Sequence, residues 1–212
     1  MITFLPMKKQ SKISYSQRYD IEGRYAALLH AGEALLCEGY DNAKPQQIAK
    51  MAGVSVGLFY RHFKNKQELV TAITVEHLEI LHSQILKHLE QDCDPVQALA
   101  IVLELTLKYF QEHQSLIKLF FMQIGYGNTS ATKKLQKTRE TYRQILQSII
   151  HQGIDQNLFV SLDVQIAINS IIGTINWSLY DLLIVKNQNI EADKLAEKIL
   201  IHSLRGLGYQ QK

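Results

Sequence analysis

Residues 48–66 read IAKMAGVSVGLFYRHFKNK. A short apolar segment, a glycine at position 53 and a second short segment rich in aromatic and basic residues have the layout of a helix-turn-helix. That unit lays its second helix in the DNA major groove. Gly53 supplies the left-handed backbone that so tight a turn requires. Ser55 is placed to cap the helix that follows. Phe59 and Phe63 lie one turn apart and are predicted core, because a small three-helix unit needs such residues inside.

Upstream, Pro45 suits the first turn of the preceding helix, and Ile48 and Ala49 face inward. Ile21, Tyr25, Leu28, Ala31 and Leu35 recur at spacings of three and four, which predicts a first helix over 18–38, closed by Gly39. Residues 1–17 read as a flexible basic arm carrying Lys8, Lys9 and Lys12. Such an arm suits either an adjacent minor groove or plain solubility. Downstream, the periodicity predicts helices over 66–90, 95–113, 131–151, 162–187 and 191–206, with breaks at Gly153–Asn157 and Asn187–Asn189. An apolar segment, 116–124, and a turn-rich GYGNTS at 125–130 lie between the second and third of these. With no strand alternation, internal repeat or low-complexity tract, the fold class is all-α. The expected organisation is a helix-turn-helix domain over 18–66 and a helical domain over 67–212 for effector binding and dimerisation.

The charge is divided along the same line. Residues 1–66 carry ten Lys/Arg and five Asp/Glu, a net of +5, whereas 67–212 carry thirteen and fifteen, a net of −2. A positive footprint over the helix-turn-helix is what phosphate binding requires. Two distant cysteines, Cys37 and Cys93, fit a reducing compartment. The N-terminus lacks the apolar core of a signal peptide. The uncharged run from Val164 to Tyr180 contains Gln165, Asn169 and Asn176 and is too polar for a membrane span. Cytoplasmic location and no membrane partner are expected. The eight histidines form no metal-binding pair or cluster: His77, His82 and His88 miss the spacing that aligns ligands on one helix face. No nucleophile elbow, phosphate loop or dinucleotide fingerprint occurs. No catalytic residue, metal or cofactor is assigned, and an enzyme is not expected.

The residues Ala31, Glu38-Gly39-Tyr40, Ile48-Ala49, Ala52-Gly53-Val54-Ser55, Gly57, Phe59-Tyr60, His62-Phe63, Lys66 and Glu68-Leu69 hold a spacing across three helices. Through it the segment from 18 to 70 resembles the N-terminal domain of the TetR family of transcriptional regulators. The resemblance implies a double-stranded operator as partner. Ser55, Val56, Gly57 and Leu58 form the turn that enters the groove. Val56 and Leu58 can meet thymine methyl groups but cannot hydrogen-bond base edges. Arg61 is the candidate for a polar base or phosphate contact, and Tyr60, His62 and Lys66 for backbone clamps. Lys44 stands where the family usually carries a capping hydroxyl, so only its charge is offered to phosphate there.

One helix-turn-helix reads few base pairs, so a homodimer on a palindromic site is expected. The resemblance implies a dimer interface built by the last two helices. Their apolar residues Val164, Ile168, Ile171, Ile172, Ile175, Leu179 and Leu183, with Leu195, Ile199, Leu200, Ser203 and Leu207, are the expected surface, and Ser170 and Gly173 permit close contact. The middle of the chain is rich in aromatic residues. Phe110, Phe121, Met122, Tyr126, Tyr142, Asn176, Trp177 and Tyr180 are the candidates for an effector pocket. Arg139 and Arg143, one turn apart, are candidates for an anionic group or simply for solvent. FFMQIGYG (120–127) with Arg139, Tyr142 and Arg143 is similar to acyl-CoA-responsive members of the family. The expected effector is thus small and apolar or amphipathic, releasing a repressor through the fourth helix as lever. The competing expectation is a ligand-independent, chromosome-associated DNA binder.

Overall fold

Local chemistry sets most helix starts in this chain. Asp94 Oδ1 accepts from the backbone N–H of Val96 (2.8 Å) and Gln97 (3.0 Å), and Asp163 Oδ1 does the same for Gln165 (2.9 Å) and Ile166 (3.1 Å). Each satisfies two of the N–H groups a helix start leaves unpaired. The computed structural model describes residues 15–40, 43–89, 93–115, 117, 121 and 130–209. Among the described residues there are eight α-helices and no strand: α1 Tyr15–Glu38, α2 Pro45–Met51, α3 Val56–His62, α4 Lys66–Leu89, α5 Pro95–Glu112, α6 Ser130–Asp155, α7 Val164–Tyr180 and α8 Ala192–Gly206. A π-helical turn, Asp181–Val185, extends α7. The expected basic arm and the 122–129 loop, with Met122 and Tyr126, lie outside the described residues.

The chain forms two compact units, divided between Leu69 and Val70. In the first, α1 packs on α2 and α2 on α3. Its core is Leu28, Leu29, Leu36, Ala43, Ile48, Ala49, Phe59 and Phe63, each buried. The buried stripe of α1 runs through Leu28, Ala31, Gly32 and Leu36, and the expected Leu35 sits only half inside. In the second unit α5 is the central helix. It packs most extensively on α8 and also on α6, while α7 bridges α6 and α8. Leu99, Val102, Leu103, Leu107, Leu146, Ile150, Ile168 and Leu207 form this core, all at 1% exposure or less.

Gly153 does not break α6; the helix runs through it to Asp155, and the chain reverses at Asn157 (φ 56°). A Cβ at 153 would lie 2.1 Å from Cδ2 of the buried Phe159 ring, so this glycine is needed for close approach rather than for a turn. The end of the next segment falls at Asn187 (φ 51°), after the π-turn.

The residues expected to face a second subunit are largely the protomer's own core. Ile168, Ile171, Ile175, Leu179 and Leu183 on α7 and the π-turn, and Ile199, Ser203 and Leu207 at α8, are 0–7% exposed. The outward side of α7 carries Ile166 (65% exposed), Ser170, Gly173 and Trp177 (70%). Both sides of the helix are therefore apolar. The run to Tyr180 reads from sequence as too polar for a membrane span, yet Val164–Val185 is long and apolar enough for one by length and composition alone, as core helices of soluble proteins also are; 28% of its 18-residue apolar window is buried within the chain.

Candidate DNA interface and effector cavity

The turn between α2 and α3 is closed by backbone bonds from Gly53 to Lys50 O (3.2 Å) and from Val54 to Ala49 O (2.9 Å), with Gly53 at φ +66°. Ser55 Oγ accepts from Leu58 N–H at 3.2 Å and so caps α3. A Cβ on Gly57 would meet nothing closer than Ser55 Oγ at 3.9 Å. Its missing side chain therefore serves no packing within the unit and leaves the backbone open to a groove. Ser55, Gly57, Tyr60, Arg61 and Lys64 are exposed, with Val56 and Leu58 half-buried beside them. Beneath them Phe59 and Phe63 meet at 5.6 Å between ring centroids, and Tyr25 of α1 stacks on Phe63 at 5.5 Å. This aromatic floor fixes the pitch of α3 relative to α1.

Two of the expected phosphate contacts, His62 and Lys66, have other engagements. His62 turns toward α1, edge-on to Tyr25 at 5.5 Å, and its Nε2 is buried without a hydrogen-bond partner among the described residues. Burial, with the neighbouring Arg61 charge, lowers its pKa and favours the neutral ring. Lys66 lays its ammonium 3.6 Å from the centroid of the Tyr40 ring and donates to the Tyr40 carbonyl, tying the start of α4 to the end of α1. The α4 N-terminus is itself capped: Asn65 Oδ1 accepts from Glu68 N–H and Glu68 Oε2 from Lys64 N–H, both at 2.9 Å. Lys44 is exposed at the N-cap of α2. Its ammonium cannot accept, and Gln47 Oε1 reaches back to its backbone N–H at 3.1 Å.

The second unit holds a half-open cavity of about 240 Å³. Helix α4 gives it Leu78, Leu81 and His82; α5 gives Thr106 and Phe110; α6 gives Arg139, Tyr142 and Arg143; α7 gives Ile172, Ile175 and Asn176. Phe110, Tyr142 and Asn176 were legible as candidates, and the structure brings them together here. Phe121, Trp177 and Tyr180 form a separate group: Trp177 stacks on Tyr180 at 5.5 Å and Phe121 meets Tyr180 edge-on at 5.2 Å, and none of them lines the cavity.

The polar side of the cavity is ordered. Thr106 Oγ1 donates to Val102 O (2.7 Å), so the 3.0 Å bond with Tyr142 is donated by the phenol. Burial pushes the Tyr142 hydroxyl up to about 12, so it stays protonated. His82 stacks on the Tyr142 ring at 5.8 Å and is only 5% exposed; burial lowers its pKa against the weaker pull of Glu79. Arg143 spans to α7, donating to Asn169 Oδ1 and Gln165 Oε1 at 2.7 Å each. Burial lowers the pKa of Arg139. Sequence reasoning missed His82 as a lining residue, although a histidine in the apolar register Leu78–Leu81–Ile85 was a visible signal.

An exposed recognition helix on an aromatic floor, joined to a helical unit with a half-open cavity, defines a helix-turn-helix transcriptional regulator. Residues 28–73 match the profile for bacterial regulatory proteins of the tetR family, and 92–180 match a Tetracyclin repressor-like C-terminal domain. The chain belongs to the TetR family of DNA-binding transcriptional regulators. It is similar to the fatty acid metabolism regulator protein of Bacillus subtilis, 25% identical over 179 residues, covering 79% of this chain and 92% of that one. It is 31% identical over 100 residues to the transcriptional activator FasR of Mycolicibacterium smegmatis, covering 47% of this chain and 46% of that one. Among solved structures, FadR of Bacillus subtilis in complex with stearoyl-CoA superposes with a TM-score of 0.75 at 23% identity, covering 86% of this chain and 98% of that one.

Proposed function

We propose that the protein is a ligand-responsive repressor that binds a palindromic operator as a homodimer in the cytoplasm and is released by a small lipophilic or amphipathic effector. Residues 18–66 read the operator, and 67–212 bind the effector and dimerise. Ser55, Val56, Gly57 and Leu58 enter the groove, and Tyr60, Arg61 and Lys44 meet base edges or phosphates. His62 and Lys66 act behind them by holding α3 and α4 on α1. Because Val56 and Leu58 offer only apolar contact, DNA shape and half-site spacing carry much of the specificity.

One observation carries the reading: a cavity lined by four helices, largely apolar with a few ordered polar groups, in a chain of this family. The relatives favour a fatty-acid-derived amphiphile. The second copy covers the outward stripe Ile166–Ser170–Gly173–Trp177, where small residues between two large ones admit a close helix. A Cβ on Gly173 would meet nothing within 4 Å inside the protomer, so packing within the chain does not require its smallness, and a close-packed second copy would use it. Helix α4 begins in the DNA-reading unit and places Leu78, Leu81 and His82 at the cavity. An effector that prefers one setting of α4 shifts the recognition helices by its differential affinity for the two states.

The test is selection of bound duplexes from a random pool, followed by release of the selected operator with fatty acids and their thioesters. A palindromic site with two half-sites one helical turn or a multiple apart is expected. A protein that binds its selected site identically with every amphiphile tried would refute the effector half of the reading. A persistent monomer would refute the dimer half.

A further inference from the structure

His82 lines not only the cavity but also a second, wider groove of about 780 Å³ in the same unit. We propose that this groove is a separate ligand site for a nucleoside polyphosphate, its phosphates received by Lys87, Lys134 and Lys137, its sugar hydroxyls by Thr138 and Thr141, and its base by Leu86. The α4 wall runs from Glu79 to Lys87 and the α6 wall from Lys134 to Thr141. Lining residues on each recur at spacings of three and four, so one face of each helix builds the site. Charge carries the argument. Residues 67–212 hold thirteen Lys/Arg and fifteen Asp/Glu, a net of −2, yet this groove gathers three lysines against one carboxylate. Lys134 is loosely paired with Glu79 at 3.6 Å, whereas Lys87 and Lys137 are exposed and have no ion pair among the described residues. Cations gathered without acid partners repel one another, and a bound anion relieves the repulsion. Lysines are compact point charges and suit tetrahedral phosphates, which need no planar fork.

The threonines have the opposite character. Thr138 Oγ1 donates to Lys134 O (3.0 Å) and Thr141 Oγ1 to Lys137 O (3.3 Å), so each oxygen has only lone pairs left to offer. A phosphate oxygen only accepts and gains nothing from them, whereas a sugar hydroxyl donates. His82 adds a ring 5% exposed whose Nε2 has no hydrogen-bond partner among the described residues. A buried polar atom in this condition costs free energy that a ligand hydroxyl or amino group can recover. Leu86, 47% exposed beside Lys87, offers an apolar contact to a flat base. The groove therefore asks for several negative charges, hydroxyl donors and one apolar face in a single molecule. A simple carboxylate has neither the charge nor the donors. Size points the same way, because about 780 Å³ falls within the roughly 300–1,000 Å³ of small-molecule sites.

The experiment is calorimetric titration of the full-length protein at low salt with ATP, inorganic tripolyphosphate, adenosine and coenzyme A. ATP binds once per protomer, about tenfold tighter than tripolyphosphate, and adenosine binds more weakly than either. Lys87→Gln combined with Lys137→Gln weakens ATP by about tenfold or more. Thr141→Val weakens ATP and leaves tripolyphosphate unchanged. Cooperative melting of each variant establishes that it folds, and the two exposed lysines carry the test if Thr141→Val does not. Absence of ATP binding, or equal affinity for ATP and tripolyphosphate, overturns the proposal. So does coenzyme A binding that the double lysine variant weakens while ATP fails to bind, since the groove would then seat an effector's head and be no second site. Each of these failures leaves the operator and dimer reading standing.

Discussion

Arg61 and Lys66 both read from sequence as cations for phosphate, and the structure gives them different surroundings. Arg61 is exposed on the recognition helix, whereas Lys66 is half-buried over the Tyr40 ring and bonded to the Tyr40 carbonyl. In a dimer, Arg61→Ala removes two charges from the interface. If each neutralises a phosphate, the slope of log K against log salt flattens by about 1.8, at 0.9 per phosphate. Between ~50 and ~200 mM salt the wild type then loses about twelvefold more affinity than the variant. Lys66→Ala should leave that slope nearly unchanged. It removes a cation–π contact and a charge-assisted hydrogen bond, together worth about 1–2 kcal/mol. In a chain of this size that lowers the melting temperature by about 2–8 °C. Fluorescence anisotropy on a labelled operator across a salt series, paired with thermal melts, separates the two. If Lys66→Ala flattens the slope as much as Arg61→Ala does and melts like wild type, the ammonium leaves Tyr40 for the phosphate. Arg61 and Lys66 would then share the phosphate role.

Three further outcomes follow from the packing and the titrating groups. Gly153→Ala gains about 1 kcal/mol of helix propensity but forces a methyl into the Phe159 ring, so a net loss of about 1–2 kcal/mol is expected in urea unfolding. The same change in a Phe159→Leu background should turn stabilising; a stabilised single variant would show that the ring yields easily. His82 has its pKa lowered from 6.5 by burial, so between the folded and unfolded values the unfolded chain binds the proton more readily. Stability is therefore full above about pH 6.5 and falls as pH drops toward the folded value. His82→Leu should reduce that slope without abolishing it, because His62 is shifted in the same direction, and an unchanged slope in urea unfolding at pH 7.5 and pH 5 would contradict the burial argument. Trp177→Ala, at a side chain 70% exposed in the protomer, should weaken dimerisation by about 2 kcal/mol or more in sedimentation equilibrium. A lowered melting temperature with an intact dimer would instead make Trp177 part of the protomer's own packing.

The helix-turn-helix was legible because its constraints are local. A left-handed glycine, a capping serine, a proline at a helix start and two phenylalanines one turn apart each allow few conformations, and all of them agree. The cavity was legible at Phe110, Tyr142 and Asn176, and in part at Arg139 and Arg143, which read as facing either an anion or solvent. Leu78, Leu81 and Ile175 carry no mark that separates a wall from a core, since both are apolar residues at helical spacing. His82 did carry a mark, because a histidine placed among leucines needs a reason, and the reason is a polar group facing an otherwise apolar space. Helix α7 shows where periodicity fails. Ile168, Ile171 and Ile175 repeat at 3.6 residues and are buried in the chain, while Ile166, Ser170, Gly173 and Trp177 repeat at the same period and lie outside. One period describes both sides, so the sequence cannot say which side is core. It does contain the count: α7 has more apolar residues than its contacts with α6 and α8 bury among the described residues, and Ile166 and Trp177 are left outward.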